Sequence, residues 1–144
     1  MKHLLLTATL ATGLLSPLTA QDFYVPDNAP SGGCNVIPFG VNTVSTTWSN
    51  QIYQTMATAA DLGNSAVLNI CDLSFISCGT GLQVNSYDSI EITLGQTNAT
   101  TLSSTFSANL VSNVQTVLVA KNFHWHNYGA QFSRIGLQKD YLYI

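Results

Sequence analysis

Charge is what this sequence has least of: four Lys and Arg and seven Asp and Glu make up only 8% of the chain, against about 25% in ordinary soluble domains. Once an N-terminal segment is removed, Lys121, Arg134 and Lys139 are the only cations left. That excludes the basic footprint that phosphate backbones and anionic membranes require. No nucleic acid is expected as a partner. The wet surface must be built from Ser, Thr, Asn and Gln, as in exported β-proteins.

Long apolar runs are lacking too. Residues 4–15 form the one sustained stretch, diluted by Thr7, Thr9, Thr12 and Gly13, and it falls short of the roughly 20 residues a bilayer-crossing helix needs. Lys2 before it and Ser16-Pro17-Leu18-Thr19-Ala20 after it complete the pattern of a secretory signal peptide. Cleavage is expected after Ala20, within a residue or two, because Leu18 is larger than the side chain usual there. Residues 1–20 are therefore read as the signal peptide and residues 21–144 as a single domain. It is expected to be secreted, extracellular or held at the cell surface, without membrane insertion.

Cysteine is scarce, with three in the chain, so an oxidising compartment leaves room for one bridge. Cys34 lies in the loop Ser31-Gly32-Gly33-Cys34-Asn35 and Cys78 in Ser77-Cys78-Gly79-Thr80-Gly81. A disulfide between Cys34 and Cys78 is expected, because loop cysteines meet readily. Cys71 shares its parity with Leu73 and Phe75, and burial as a small hydrophobe accounts for it.

What is present is β-patterning, and residues 88–110 organise it. Ile90, Ile92 and Leu94 alternate with Ser89, Glu91 and Thr93, which separates one apolar face from one wet face. Leu102, Phe106 and Leu110 follow at intervals of four, suiting a short helical turn or an excursion that plugs a sheet edge. Before this stretch, strands are expected around residues 23–25, 35–39 and 51–55, then a helical turn over 56–63 closed by Gly63. Residues 66–77 predict an apolar strand whose phase slips, and a β-bulge near Cys71 and Asp72 would reconcile its two halves. Further strands are expected at 82–87, 114–120, 132–137 and 141–144, with 122–128 a strand or a loop. Turn residues recur at roughly the 8 to 12 residue spacing of sandwiches and barrels. The expected fold class is all-β, with one or two short helical turns.

Several of these segments also carry a resemblance. Val25-Pro26-Asp27-Asn28, Cys34-Asn35-Val36-Ile37-Pro38-Phe39-Gly40, Asn50-Gln51-Ile52-Tyr53-Gln54, Ala59-Ala60-Asp61-Leu62-Gly63, Asp72-Leu73-Ser74-Phe75 and Ile135-Gly136-Leu137-Gln138 make the chain resemble secreted bacterial β-sandwich domains of unassigned function. The resemblance spans nearly all of residues 21–144 and implies an antiparallel, jelly-roll-like sandwich. It implies a fold and not an activity. In such domains the stretch matching Tyr141-Leu142-Tyr143 is followed by a Gly or Asp turn and a further Asn-Leu-hydrophobic strand, which this sequence lacks after Ile144. A sheet short of that terminal strand is therefore expected: either the chain is a truncated version of such a domain, or something else, another copy or a surface protein, occupies the open edge.

Candidate chemistry is sparse. In His124-Trp125-His126 two imidazoles at i and i+2 of a strand share a face and suit a metal ion, with Asp140 or Glu91 as further ligands. A core Trp125 between two solvated histidines is the simpler reading. Trp48 and Trp125 are the candidate sugar-stacking residues. Asp22, Asp27 and Asn28 suit Ca²⁺ or a plain turn. Asn98-Ala99-Thr100 forms a glycosylation sequon, accidental if the source is bacterial. The carboxylates Asp61, Asp72, Asp88 and Glu91 have ordinary structural roles available, and no Gly-x-Ser-x-Gly elbow is present, so no catalytic residues and no cofactor are expected. The leading expectation is a non-enzymatic structural or adhesive surface module, and in its stronger version the open groove accepts a strand from a partner or another copy. A carbohydrate-binding module is the alternative, and a metal-binding protein centred on His124 and His126 the third.

Overall fold

A computed structural model describes residues 21–25, 50–64 and 67–144. The expected signal peptide at 1–20, the strand at 35–39, and Asp27, Asn28, Cys34 and Trp48 lie outside the described residues. Those described form an all-β fold of four strands, β1 Leu68–Ile76, β2 Leu82–Gln96, β3 Ser112–Tyr128 and β4 Phe132–Tyr143. Two antiparallel two-stranded sheets result, β1 with β4 and β2 with β3.

The strands are longer than the sequence suggests. The expected breaks at 87/88, 121 and 138–140 are not turns but irregularities inside continuous strands. In β2 and β3 the inward side chains are Asn85, Tyr87, Phe123, Trp125 and Asn127 at one end, and Ile90, Ile92, Leu118 and Ala120 at the other. Parity changes where the ladder skips Asp88 and Asn122, and Asn122 takes a positive φ of 49° there. A short polar side chain tolerates that left-handed conformation. Further along, Ile92 pairs with Leu118 but Thr93 with Thr116, so Val117 is an extra residue, buried beside Leu118.

The bulge expected near Cys71 and Asp72 is present, with its excess on the other strand. Ile70 pairs with Tyr141 and Asp72 with Gly136, so residues 137–140 of β4 stand against Cys71 alone. Cys71 is consequently exposed and free, which corrects the expectation of a buried small hydrophobe. A bulge residue need not follow the alternation of its neighbours.

Both sheets feed one core. Ile90, Leu118, Trp125 and Ile135 form its buried cluster, with Phe75, Tyr87, Ile92, Ala120 and Phe123 packed around it. A fully buried side chain of this kind contributes roughly 1.5–3 kcal/mol. At one end of the core the two inter-sheet turns are knitted together. Gly129 N–H donates to the Gly81 carbonyl at 2.9 Å and Ala130 N–H to that of Ser77 at 3.0 Å. Side chains continue the join, because the Ser77 hydroxyl donates to the Asn127 carbonyl oxygen at 2.5 Å and both residues are buried.

The segment before β1 contains the expected helical turn. Thr58 and Asp61 cap its start reciprocally, with Thr58 N–H donating to Asp61 Oδ2 at 2.7 Å and Asp61 N–H to Thr58 Oγ1 at 3.2 Å, the logic of a capping box. Its end is a Schellman closure: Asn64 N–H reaches the Ala59 carbonyl and Gly63 N–H that of Ala60, with Gly63 at φ 65°. Residues 23–25 and 51–55 are not strands.

In the connection between β2 and β3, a 3-10 turn spans Phe106–Ala108. Leu102 and Phe106 remain exposed, so they do not plug a sheet edge. A polar residue organises this connection instead. Buried Asn109 donates to Gln54 Oε1 at 2.6 Å and accepts from Ser103 N–H at 2.8 Å.

Candidate functional site

The face of β2 and β3 opposite Trp125 carries the side chains of most chemical interest. Strand alternation forces this, because burying Trp125 and Asn127 turns His124, His126 and Tyr128 outward. Across the ladder Ser86 faces His124, Val84 faces His126 and Leu82 faces Tyr128. Leu82 is 75% exposed and Tyr128 50%, so the face ends in an open apolar pair. His124 Nδ1 lies 2.8 Å from Ser86 Oγ.

The two imidazoles thus share one exposed face. Neither proposed further ligand joins them. Glu91 pairs with Val119 and faces the hydroxyls of Thr93 and Thr116 at 3.4 and 3.5 Å. Asp140 accepts from Asn69 Nδ2 at 2.7 Å. Among the described residues no group of three or more His, Cys, Asp or Glu is placed to hold a metal ion.

Trp125 is no sugar platform: it is 2% exposed, and its ring N–H donates to the Arg134 carbonyl at 3.3 Å. Stacking on a pyranose needs an exposed face, and the fold spends this ring on the core. Trp48, the other sugar-stacking candidate, lies outside the described residues. Cys78 is disulfide-bonded, and its expected partner Cys34 is likewise outside them.

Among the described residues the carboxylates do not converge. Asp61 caps the turn before β1, and Asp72 and Asp22 each lie 3.5 Å from the Arg134 guanidinium. Asp88 is exposed at the level where parity changes. Two phenols are shifted. Tyr87 is held above its ordinary value by desolvation, partly offset by a hydrogen bond with Asn85. Burial likewise raises Tyr141, opposed by a hydrogen bond with Asn113 and reinforced by the nearby Tyr143.

Sequence reasoning missed Ser86, because only the pairing register puts it across from His124. It also missed Gln138, whose carboxamide reaches the backbone of Val119. No local pattern signals either. Among the described residues no helix is long and apolar enough to cross a membrane. Comparison with protein-family models, with curated proteins and with solved structures returned no match to this chain.

Proposed function

We infer that this chain is an exported, non-enzymatic surface module, structural or adhesive, with the jelly-roll-like sandwich of the secreted bacterial domains it resembles. It works by strand complementation with another copy or a surface protein. The observation that carries this is the state of the sheet edges. Among the described residues each sheet has two strands, and where β3 adjoins β4 the facing edges are bridged by side chains. Asn113 donates to the Leu142 carbonyl at 2.7 Å, and Tyr128 N–H donates to Ser133 Oγ at 3.0 Å. The far edge of β2 over residues 88–96 pairs with no other described strand. An edge of that length is a template for an incoming strand. The Ser- and Thr-rich, charge-poor surface is in keeping with an exported module.

Light scattering on the purified 21–144 chain, combined with amide exchange, tests this. Concentration-dependent association that slows exchange over residues 88–96 is expected. A monomer at every concentration, with those amides already protected, would sink the idea.

A further inference from the structure

We propose that His124 and His126 form a two-imidazole site for a borderline divalent ion, Cu²⁺ above all, with Ser86 as the residue that positions His124. The proposal is independent of strand complementation. It rests on three features of the β2 and β3 ladder. Burial of Trp125 places the imidazoles on either side of it on one exposed face. Residues two apart on a strand lie roughly 6.5–7 Å apart, a span two imidazoles can close toward one ion at about 2.0–2.1 Å. The cross-strand neighbours of the pair, Ser86 and Val84, carry no charge to repel a cation.

The third feature concerns the tautomer. His124 Nδ1 sits 2.8 Å from Ser86 Oγ. With Nδ1–H donating to that hydroxyl, Nε2 is the nitrogen left with a lone pair, and a second-nitrogen hydrogen bond of this kind is usual for metal-ligating histidines. In that tautomer Ser86 holds the ring and leaves Nε2 as the ligating nitrogen. With two protein ligands, water completes the coordination. Imidazole nitrogen suits Cu²⁺, Ni²⁺ and Zn²⁺, and Cu²⁺ stands highest in affinity among them.

The test uses the 21–144 chain in a Cys71→Ser background, which removes the exposed thiol as a competing ligand. Calorimetric titration with CuCl₂ alone is expected to show one equivalent bound. His124→Ala and His126→Ala should each abolish that isotherm or weaken it more than Ser86→Ala, which weakens it roughly tenfold. Circular dichroism confirms that each variant is folded. Electron paramagnetic resonance of the unsubstituted site needs no histidine variant, and should show coupling to two imidazole nitrogens. Equal Cu²⁺ affinity in a folded double-alanine variant overturns the proposal. So does a spectrum without two-nitrogen coupling.

Discussion

The Gln138 carboxamide meets Val119 at both ends: its oxygen accepts from Val119 N–H at 3.0 Å, and its Nε2 donates to the Val119 carbonyl at 3.1 Å. One side chain thus stands in for the peptide group of a neighbouring strand. It reaches that position because the β4 excursion over 137–140 has no counterpart on β1. Edge strands left unsatisfied invite foreign pairing, and here the protection comes from an amide.

Replacing that amide should expose the edge. Gln138→Ala is expected to cost about 1 kcal/mol, since both bonds are near solvent and each is worth roughly 0.5–1.5 kcal/mol net. Urea unfolding reads the loss. Exchange of the Val119 amide reads the cause, and an unchanged rate there would refute the edge-capping role.

Two adjacent turn residues should respond in opposite directions. A Cβ on Gly129 would lie 2.5 Å from the backbone of Gly79, so Gly129→Ala is expected to destabilise by roughly 1–3 kcal/mol. Ala130 sits at φ 62°, where a side chain is strained. Ala130→Gly should therefore stabilise by about 0.5 kcal/mol after the entropy that glycine adds to the unfolded chain. Thermal unfolding of both variants distinguishes the signs.

Alkaline stability should report the buried phenols. Tyr141 is buried and, among the described residues, its hydroxyl has no hydrogen-bond partner of ordinary geometry, although Asn113 is near enough to favour the phenolate. A pKa raised in the folded state above the ordinary 10.0 contributes stability that is complete below about pH 10. That contribution is lost as pH rises through the folded value. Tyr141→Phe removes an unsatisfied buried hydroxyl, so stability at pH 7 should hold or rise by up to roughly 1 kcal/mol. The alkaline decline should become shallower, with Tyr87 still contributing to it. Unfolding measured between pH 8 and pH 11 follows both effects.

Thiol chemistry should separate the cysteines. Cys71 is exposed and free, so iodoacetamide should label it in the native protein. Mass mapping without reductant should find Cys78 joined to Cys34, and reduction should cost roughly 3–4 kcal/mol if loop closure dominates. A Cys71 adduct linked to either partner would contradict this pairing.

The irregular places explain why part of the fold was legible and part was not. Ile90 and Ile92 announce their strand because period-two burial is local, and Gly63 announces its turn because its φ demands glycine. The slip at Cys71 was legible as a bulge, yet which strand carries the excess depends on β4. The pair of imidazoles was visible beside Trp125, and the hydroxyl that orients one of them was not. Where parity changes at Asp88 and Asn122, sequence suggests separate elements, whereas cross-strand pairing carries the ladder through.

Sequence by itself determined the all-β class, the outward placement of His124 and His126 once Trp125 is buried, and the shortage of charge. These follow from alternation and composition, which need no knowledge of distant partners. Tertiary structure decided the lengths of β2, β3 and β4, the exposure of Cys71, the meeting of Ser86 with His124, and the capping of Val119 by Gln138. Each depends on register between strands far apart in the chain, and register is set by long-range packing that no local window contains.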